Sequence, residues 1–131
     1  MKRLLFVFLL SALLGACTSQ PVYNFSRPIP KGADGLPLHP QEVSDAISES
    51  CRARQWKVVE VEPGRIGCSI TVRGRHHANV DISFSSDSYS MEYGSSVGLE
   101  YRNGSIHRNY NKWVILLGDE IDRRLNISGG Y

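Results

Sequence analysis

At 131 residues, with 41% hydrophobic and 21% charged side chains, the chain has material for one domain with a modest core and none for a large multidomain enzyme. Fifteen Lys and Arg face thirteen Asp and Glu, and setting aside Lys2 and Arg3 at the extreme N-terminus leaves thirteen of each. A nucleic-acid reader with a strongly basic face is therefore disfavoured.

Residues 1–16 have the form of an export signal. Met1-Lys2-Arg3 is a positive start, Leu4 to Leu10 is an apolar run too short to span a bilayer as a mature helix, and Ser11 to Ala16 is rich in small residues. The tetrapeptide Leu14-Gly15-Ala16-Cys17 resembles the lipobox of bacterial lipoproteins, an aliphatic residue and two small ones ahead of a cysteine. The resemblance implies that Cys17 becomes the mature N-terminus, carries a diacylglyceryl thioether and usually an N-acyl chain, and so holds the protein on a membrane. Each buried CH₂ of such chains contributes about 0.8 kcal/mol, so two or three chains make a lasting anchor. Thr18 and Ser19 follow with no Asp. In enterobacterial-type lipoproteins that pattern implies the outer membrane, with the domain facing the periplasm.

From position 17 to 40 the chain holds five of its six prolines and shows no apolar periodicity. It reads as a lipidated N-terminus and a Pro-rich tether, able to extend to about 80 Å. As a flexible coil it would average roughly 25–30 Å, enough to lift the domain clear of the lipid. Tyr23, Phe25 and Ile29 leave open the alternative of a strap packed along the domain.

The folded domain is expected over 41–131. Val43, Ala46, Ile47 and Cys51 recur at helical spacing, with Pro40 suited to a first turn, and predict a helix over about 40–53. Gln55–Val61 and Ile66–Val72 predict two strands joined at Pro63-Gly64, the second placing Ile66, Cys68, Ile70 and Val72 on one face. His77–Phe84 alternates strictly, with Ala78, Val80, Ile82 and Phe84 inward. Ser85–Ser88 turns the chain into a further alternating run at Tyr89–Tyr93. Gly94–Arg108 reads as a long loop with a short strand at Leu99–Tyr101. Tyr110, Trp113, Val114, Leu117, Ile121 and Leu125 then mark a second helix. The expected fold is α+β, two helices on one face of a four-stranded antiparallel meander (α-β-β-β-β-α), its second face open to solvent or to another copy.

Cys51 and Cys68, one on the helix stripe and one on the inward strand face, are expected to meet in the core and form a disulfide in an oxidising compartment. His76 and His77 point to opposite faces of a strand and cannot readily chelate one ion, so no metal is expected. Arg73-Gly74-Arg75 is a weak candidate for a phosphate or lipopolysaccharide contact. No Gly-rich phosphate loop occurs, and no cofactor is implied. Ser95, Ser96, His107 and Asp81 supply the atoms of a hydrolytic triad without a nucleophile elbow around either serine. Asn24-Phe25-Ser26, Asn103-Gly104-Ser105 and Asn126-Ile127-Ser128 are sequons with no meaning in a bacterium.

The run from Ser95 to Trp113 is dense in aromatic and amide side chains. Tyr93, Ser96, Leu99, Tyr101, Ile106-His107, Asn109-Tyr110-Asn111 and Trp113 form a pattern that resembles a family of small proteobacterial lipoproteins whose molecular role is unassigned, over roughly 43–125. The residues themselves suggest a structural role, with His107 or Asn109 capping the helix and Tyr110 and Trp113 seating it on the sheet. Alternatively Ser96, Tyr101, His107, Tyr110, Asn111 and Trp113 form a recognition patch. The reading favoured is a non-catalytic binding or assembly protein of the envelope, partnered by an envelope protein or a glycan. The alternatives are a small-molecule or glycan module with a pocket lined by Tyr101, His107 and Asn111, and a small hydrolase using Ser95 or Ser96 with His107.

Overall fold

A computed structural model of the chain describes residues 18–126. Cys17 and the leader lie outside the described residues. The order of elements is β1 (Ser19–Pro21), β2 (Phe25–Pro28), α1 (Pro40–Ala53), β3 (Lys57–Glu62), β4 (Arg65–Val72), β5 (His76–Phe84), β6 (Ser88–Val97), β7 (Ser105–His107) and α2 (Arg108–Arg124). The fold is α+β with antiparallel pairing throughout, as the alternating runs predict.

The sheet departs from the expected meander. It has five strands in the order β2-β6-β5-β4-β3, and β1 pairs with β7 in a separate two-stranded ribbon. The meander β3 to β6 is present, with the fifth strand supplied by the segment expected to be a tether. Phe25, Ser26, Arg27 and Pro28 lie opposite Met91, Ser90, Tyr89 and Ser88. The alternative that Tyr23, Phe25 and Ile29 pack back as a strap is thus the one the chain adopts. Pro28 is tolerated because β2 is an edge strand whose proline need not donate inward.

α1 begins on Pro40, whose fixed φ and missing N–H suit the first helical turn. It ends at Arg54 and Gln55, the latter left-handed at φ 69°, so the chain reverses there without a glycine. One face of the sheet carries Ile66, Cys68, Ile70, Ala78, Val80, Ile82, Tyr89 and Met91, all buried with Val43, Ile47 and Cys51 of α1 and Tyr110, Val114, Leu117 and Ile121 of α2. Period two along the strands and 3.6 along the helices thus meet in one core.

The other face is mostly polar, with Val59 and Val97 exposed towards its ends. Ser69, Thr71, Asn79, Asp81, Ser83, Ser90 and Glu92 alternate with the buried set, and Arg65 lies 3.1 Å from Glu60 and 2.5 Å from Asp81 across it. The free edge at β3 is broken by an irregularity between Val58 and Glu60 and carries Lys57, Glu60 and Glu62, which discourage another strand from adding there.

The expected loop over Gly94–Arg108 is shorter than predicted, because β6 continues to Val97 through a bulge at Tyr93–Ser95. Leu99–Tyr101 forms no strand. Leu99 instead plugs the core, 2% exposed, and the short strand lies later, at Ser105–His107. Its turn is Asn103-Gly104, both at positive φ (50° and 77°), within the bridge Arg102–Ser105. Asn-Gly is the strongest short-range signal for such a turn, and its presence also in a sequon obscured it.

Candidate functional site

The strap, β7 and the first turns of α2 form one polar and aromatic junction. α2 is capped by His107, whose Nδ1 accepts the Asn109 backbone N–H at 3.2 Å. Asn111 is 7% exposed and all of its side chain is occupied by the strap. Its Oδ1 accepts the Tyr23 backbone N–H at 3.0 Å, and its Nδ2 donates to the Pro21 carbonyl at 2.9 Å and to Gln20 Oε1 at 3.3 Å. The first described residue, Thr18, accepts the Arg108 backbone N–H at 2.7 Å.

A second constellation ties the strap to the far half of α2. Arg27 reaches Asp122 at 2.5 Å and Asp119 at 3.2 Å, and its guanidinium lies 4.5 Å from the centre of the Phe25 ring. Tyr89, fully buried, donates to Asp122 at 2.5 Å and lies 3.1 Å from the Gly118 carbonyl. Burial, and then the neighbouring Asp122 carboxylate, push the Tyr89 phenol well above its ordinary range. Phe25 fits here because Gly118 has no side chain: a Cβ on it would come within 2.8 Å of the Phe25 ring. A glycine inside a helix costs about 1 kcal/mol relative to alanine, and here it admits the strap's aromatic ring.

The third group is aromatic. Tyr93 stacks on Tyr101 at 4.4 Å between ring centres and meets Tyr110 edge-on at 5.5 Å. The bulge brings Tyr93 and Ser96 to the same side of β6, so the Tyr93 hydroxyl and Ser96 Oγ lie 2.8 Å apart. Tyr110 is buried, yet its hydroxyl has no hydrogen-bond partner. The expected bond from its polar tip to the loop is not made, and the hydroxyl is buried without a partner. Burial, then Tyr93, raise its pKa too. Removing an orphaned buried hydroxyl relieves its desolvation, so Tyr110→Phe is expected to be neutral or to stabilise the domain by up to about 1 kcal/mol, read from the urea midpoint.

The six residues expected to form one patch are therefore divided. Ser96, Tyr101 and Tyr110 belong to the tyrosine cluster, His107 and Asn111 to the strap junction, and Trp113 to a separate cleft. That cleft, of about 320 Å³, lies between the end of α1 and α2 and is lined by Arg54, Trp56, Ile70, Trp113 and Leu116. A second, of about 450 Å³, adjoins it across Leu116 and is lined by Gln20, Arg108, Asn111, Lys112 and Ile115. Neither of these two clefts is lined by Tyr101 or His107, and Asn111 lines the second while its amide is bonded to the strap.

No family model, curated protein or solved structure matches this chain. Its own geometry carries the reading. Ser95 Oγ accepts from Asn79 Nδ2 at 2.8 Å, Ser96 is bonded to Tyr93 and His107 to the helix start, so neither serine is paired with His107. His76 Nδ1 lies 2.8 Å from the Gly98 carbonyl and His77 Nδ1 lies 2.8 Å from Thr71 Oγ1, which sets the two rings in separate hydrogen bonds. Among the described residues no cluster of three metal-ligating side chains occurs, and no helix is long and apolar enough to cross a membrane. Arg73 and Gly74 are the central residues of a tight turn, at φ 55° and 67°, with the Arg75 N–H donating to Val72 O.

Cys51 and Cys68, each fully buried, are at disulfide distance, with Cα atoms 6.7 Å apart across the α1–β4 interface. The separation lies inside the range that a bridge requires.

Proposed function

We propose that this chain is a lipid-anchored protein of the bacterial cell envelope, acylated at Cys17 and held at the outer membrane, facing the periplasm. Its α+β domain serves binding or assembly with an envelope partner and performs no catalysis. The observation that carries this reading is the sequence Leu14-Gly15-Ala16-Cys17 at the end of an export-type leader. A cysteine pair bridged in the core supports it, because such bonds persist in oxidising compartments. The small proteobacterial lipoproteins that the Tyr93–Trp113 pattern resembles fit the same placement.

The partner is better matched by a surface than by a deep pocket. The polar side chains of the strap junction are consumed internally, and the stacked Tyr93–Tyr101 pair leaves Tyr101 48% exposed as a rigid aromatic contact. The centre of the open sheet face is rich in hydroxyls and ion pairs, with exposed Val59 and Val97 only at its margins, unlike the apolar centre of a homodimer interface, which weighs against self-association there. The second reading, a glycan module, draws on the same exposed tyrosine, since aromatic faces stack on sugar rings.

The test of the anchor is intact-mass analysis of the chain purified from envelopes, with Cys17→Ser beside it. The expected wild-type mass is that of a chain starting at residue 17 with added acyl groups, recovered with outer membranes, whereas Cys17→Ser carries no acyl mass. An unmodified, freely soluble wild-type chain would overturn the reading.

A further inference from the structure

We propose that the first half of α2 is the face by which the domain lies on the membrane, in contact with anionic phospholipid headgroups. The inference rests on the anchor reading above and adds an orientation to it. Thr18 is hydrogen-bonded to the first residue of α2, and Ser19, Gln20 and Pro21 are in register with His107, Ile106 and Ser105. Adjacent Cα atoms are about 3.8 Å apart, so an anchor carried by the residue before Thr18 is attached within one residue of the hydrogen bond that Thr18 makes to Arg108. Acyl chains leaving there enter the bilayer next to this helix and bring its flank to the lipid surface.

The flank has the chemistry such a surface selects. Arg108 and Lys112 are exposed, and Ile115 and Leu116 are 39% and 37% exposed one turn further on, with Trp113 half-buried beside them. Leu116 joins the two clefts, and Arg54 adds a third cation at the rim. The first turn of α2 has no acidic residue, although the helix dipole favours one there. Cations at that end are electrostatically misplaced within the protein alone, and phosphate groups offset their charge. Asp119, the next acid along this face, is engaged by Arg27. Cationic side chains interleaved with aliphatic ones and a tryptophan are the composition of an interfacial helix, with the apolar groups at the headgroup boundary.

The test uses the full chain, natively acylated, in vesicles of phosphatidylethanolamine and phosphatidylglycerol. Cys17 is blocked by its thioether and Cys51 and Cys68 by their bridge, so an introduced cysteine takes an environment-sensitive fluorophore alone. Labels at Ile115→Cys and at Lys112→Cys are expected to be quenched by shallow nitroxide lipids and to be several-fold less accessible to aqueous iodide than a label at Ser83→Cys on the open sheet face. Arg108→Glu with Lys112→Glu is expected to reverse that protection at position 115. Equal iodide access at 115 and 83 in a chain that stays on the vesicles overturns the orientation alone. A chain without acyl mass that fails to bind the vesicles overturns the anchor reading and the orientation with it.

Discussion

Replacing Cys51 and Cys68 together by alanine is expected to cost about 3 kcal/mol of stability, the value that chain entropy gives for closing a loop of this length. The two residues are 17 positions apart, so a bridge between them cross-links the last turns of α1 to the middle of β4 through side chains, in addition to the backbone that runs from α1 into β3. For a domain of this size that is a large share of a total that rarely exceeds about 15 kcal/mol. The denaturant slope is expected to rise as well, because an uncrosslinked unfolded chain exposes more surface. Urea unfolding of the wild type and the double variant checks both. A loss below about 1 kcal/mol with an unchanged slope would show that the bridge does not restrain the unfolded chain. Since both sulfurs are fully buried, alkylation under native reducing conditions is expected to be slow and to follow the opening of the domain.

Asp122→Ala is the second large effect. It removes the carboxylate that receives both Arg27 and Tyr89, and each is left in a partly or fully buried place. Arg27 keeps Asp119, and Tyr89 keeps the Gly118 carbonyl, so the loss is not that of a stranded charge. About 2–3 kcal/mol is expected, from two bonds to a charged acceptor less the partners that remain. Asp122→Asn, which retains an acceptor, should lose about half as much. Hydrogen exchange adds a readout that separates strap from domain. Amides of β2 should lose protection before those of β4 and β5, whose ladders do not depend on Asp122. If β2 keeps its protection in Asp122→Ala, the strap is held by its apolar contacts alone.

The two buried phenols also set a pH dependence. Tyr89 and Tyr110 have folded pKa values above that of an unfolded tyrosine, chiefly from burial. The folded chain thus holds these protons more tightly than the unfolded one. Their contribution is fully present below about pH 10, the unfolded phenol value, and is lost as the pH rises from there towards the folded values. The urea midpoint is expected to fall steadily above pH 10, and less steeply in Tyr110→Phe.

Much of the core was legible in the residue pattern. The stripe Val43, Ile47, Cys51 with Pro40 ahead of it marks α1 to the residue. The alternation through Ala78, Val80 and Ile82 marks β5, and together they bring Cys51 and Cys68 to one place. The strap was less visible because its inward set is Phe25, Arg27 and Ile29, in which a charged residue interrupts the apolar alternation. Arg27 faces inward because Asp119 and Asp122 neutralise it from positions 92 and 95 residues away, beyond the reach of any local window. The aromatic and amide run from Tyr93 to Trp113 looked like one patch because its members are close in sequence. A bulge, a cap and a helix turn send them to three different places, and only the three-dimensional partners reveal that Asn111 is a clamp and Tyr110 part of the core.

The clamp has a kinetic consequence. Tyr23 waits for Asn111, 88 positions later, and Ser19 for His107, so the earliest-synthesised part of the domain cannot settle until nearly the last has been made. A chain threaded N-terminus first through a translocation channel would have β2 ready for β6 once residues 88–91 emerge, while residues 19–23 stay unpaired until β7 and Asn111 follow. Folding of this domain therefore ends where its biosynthesis began.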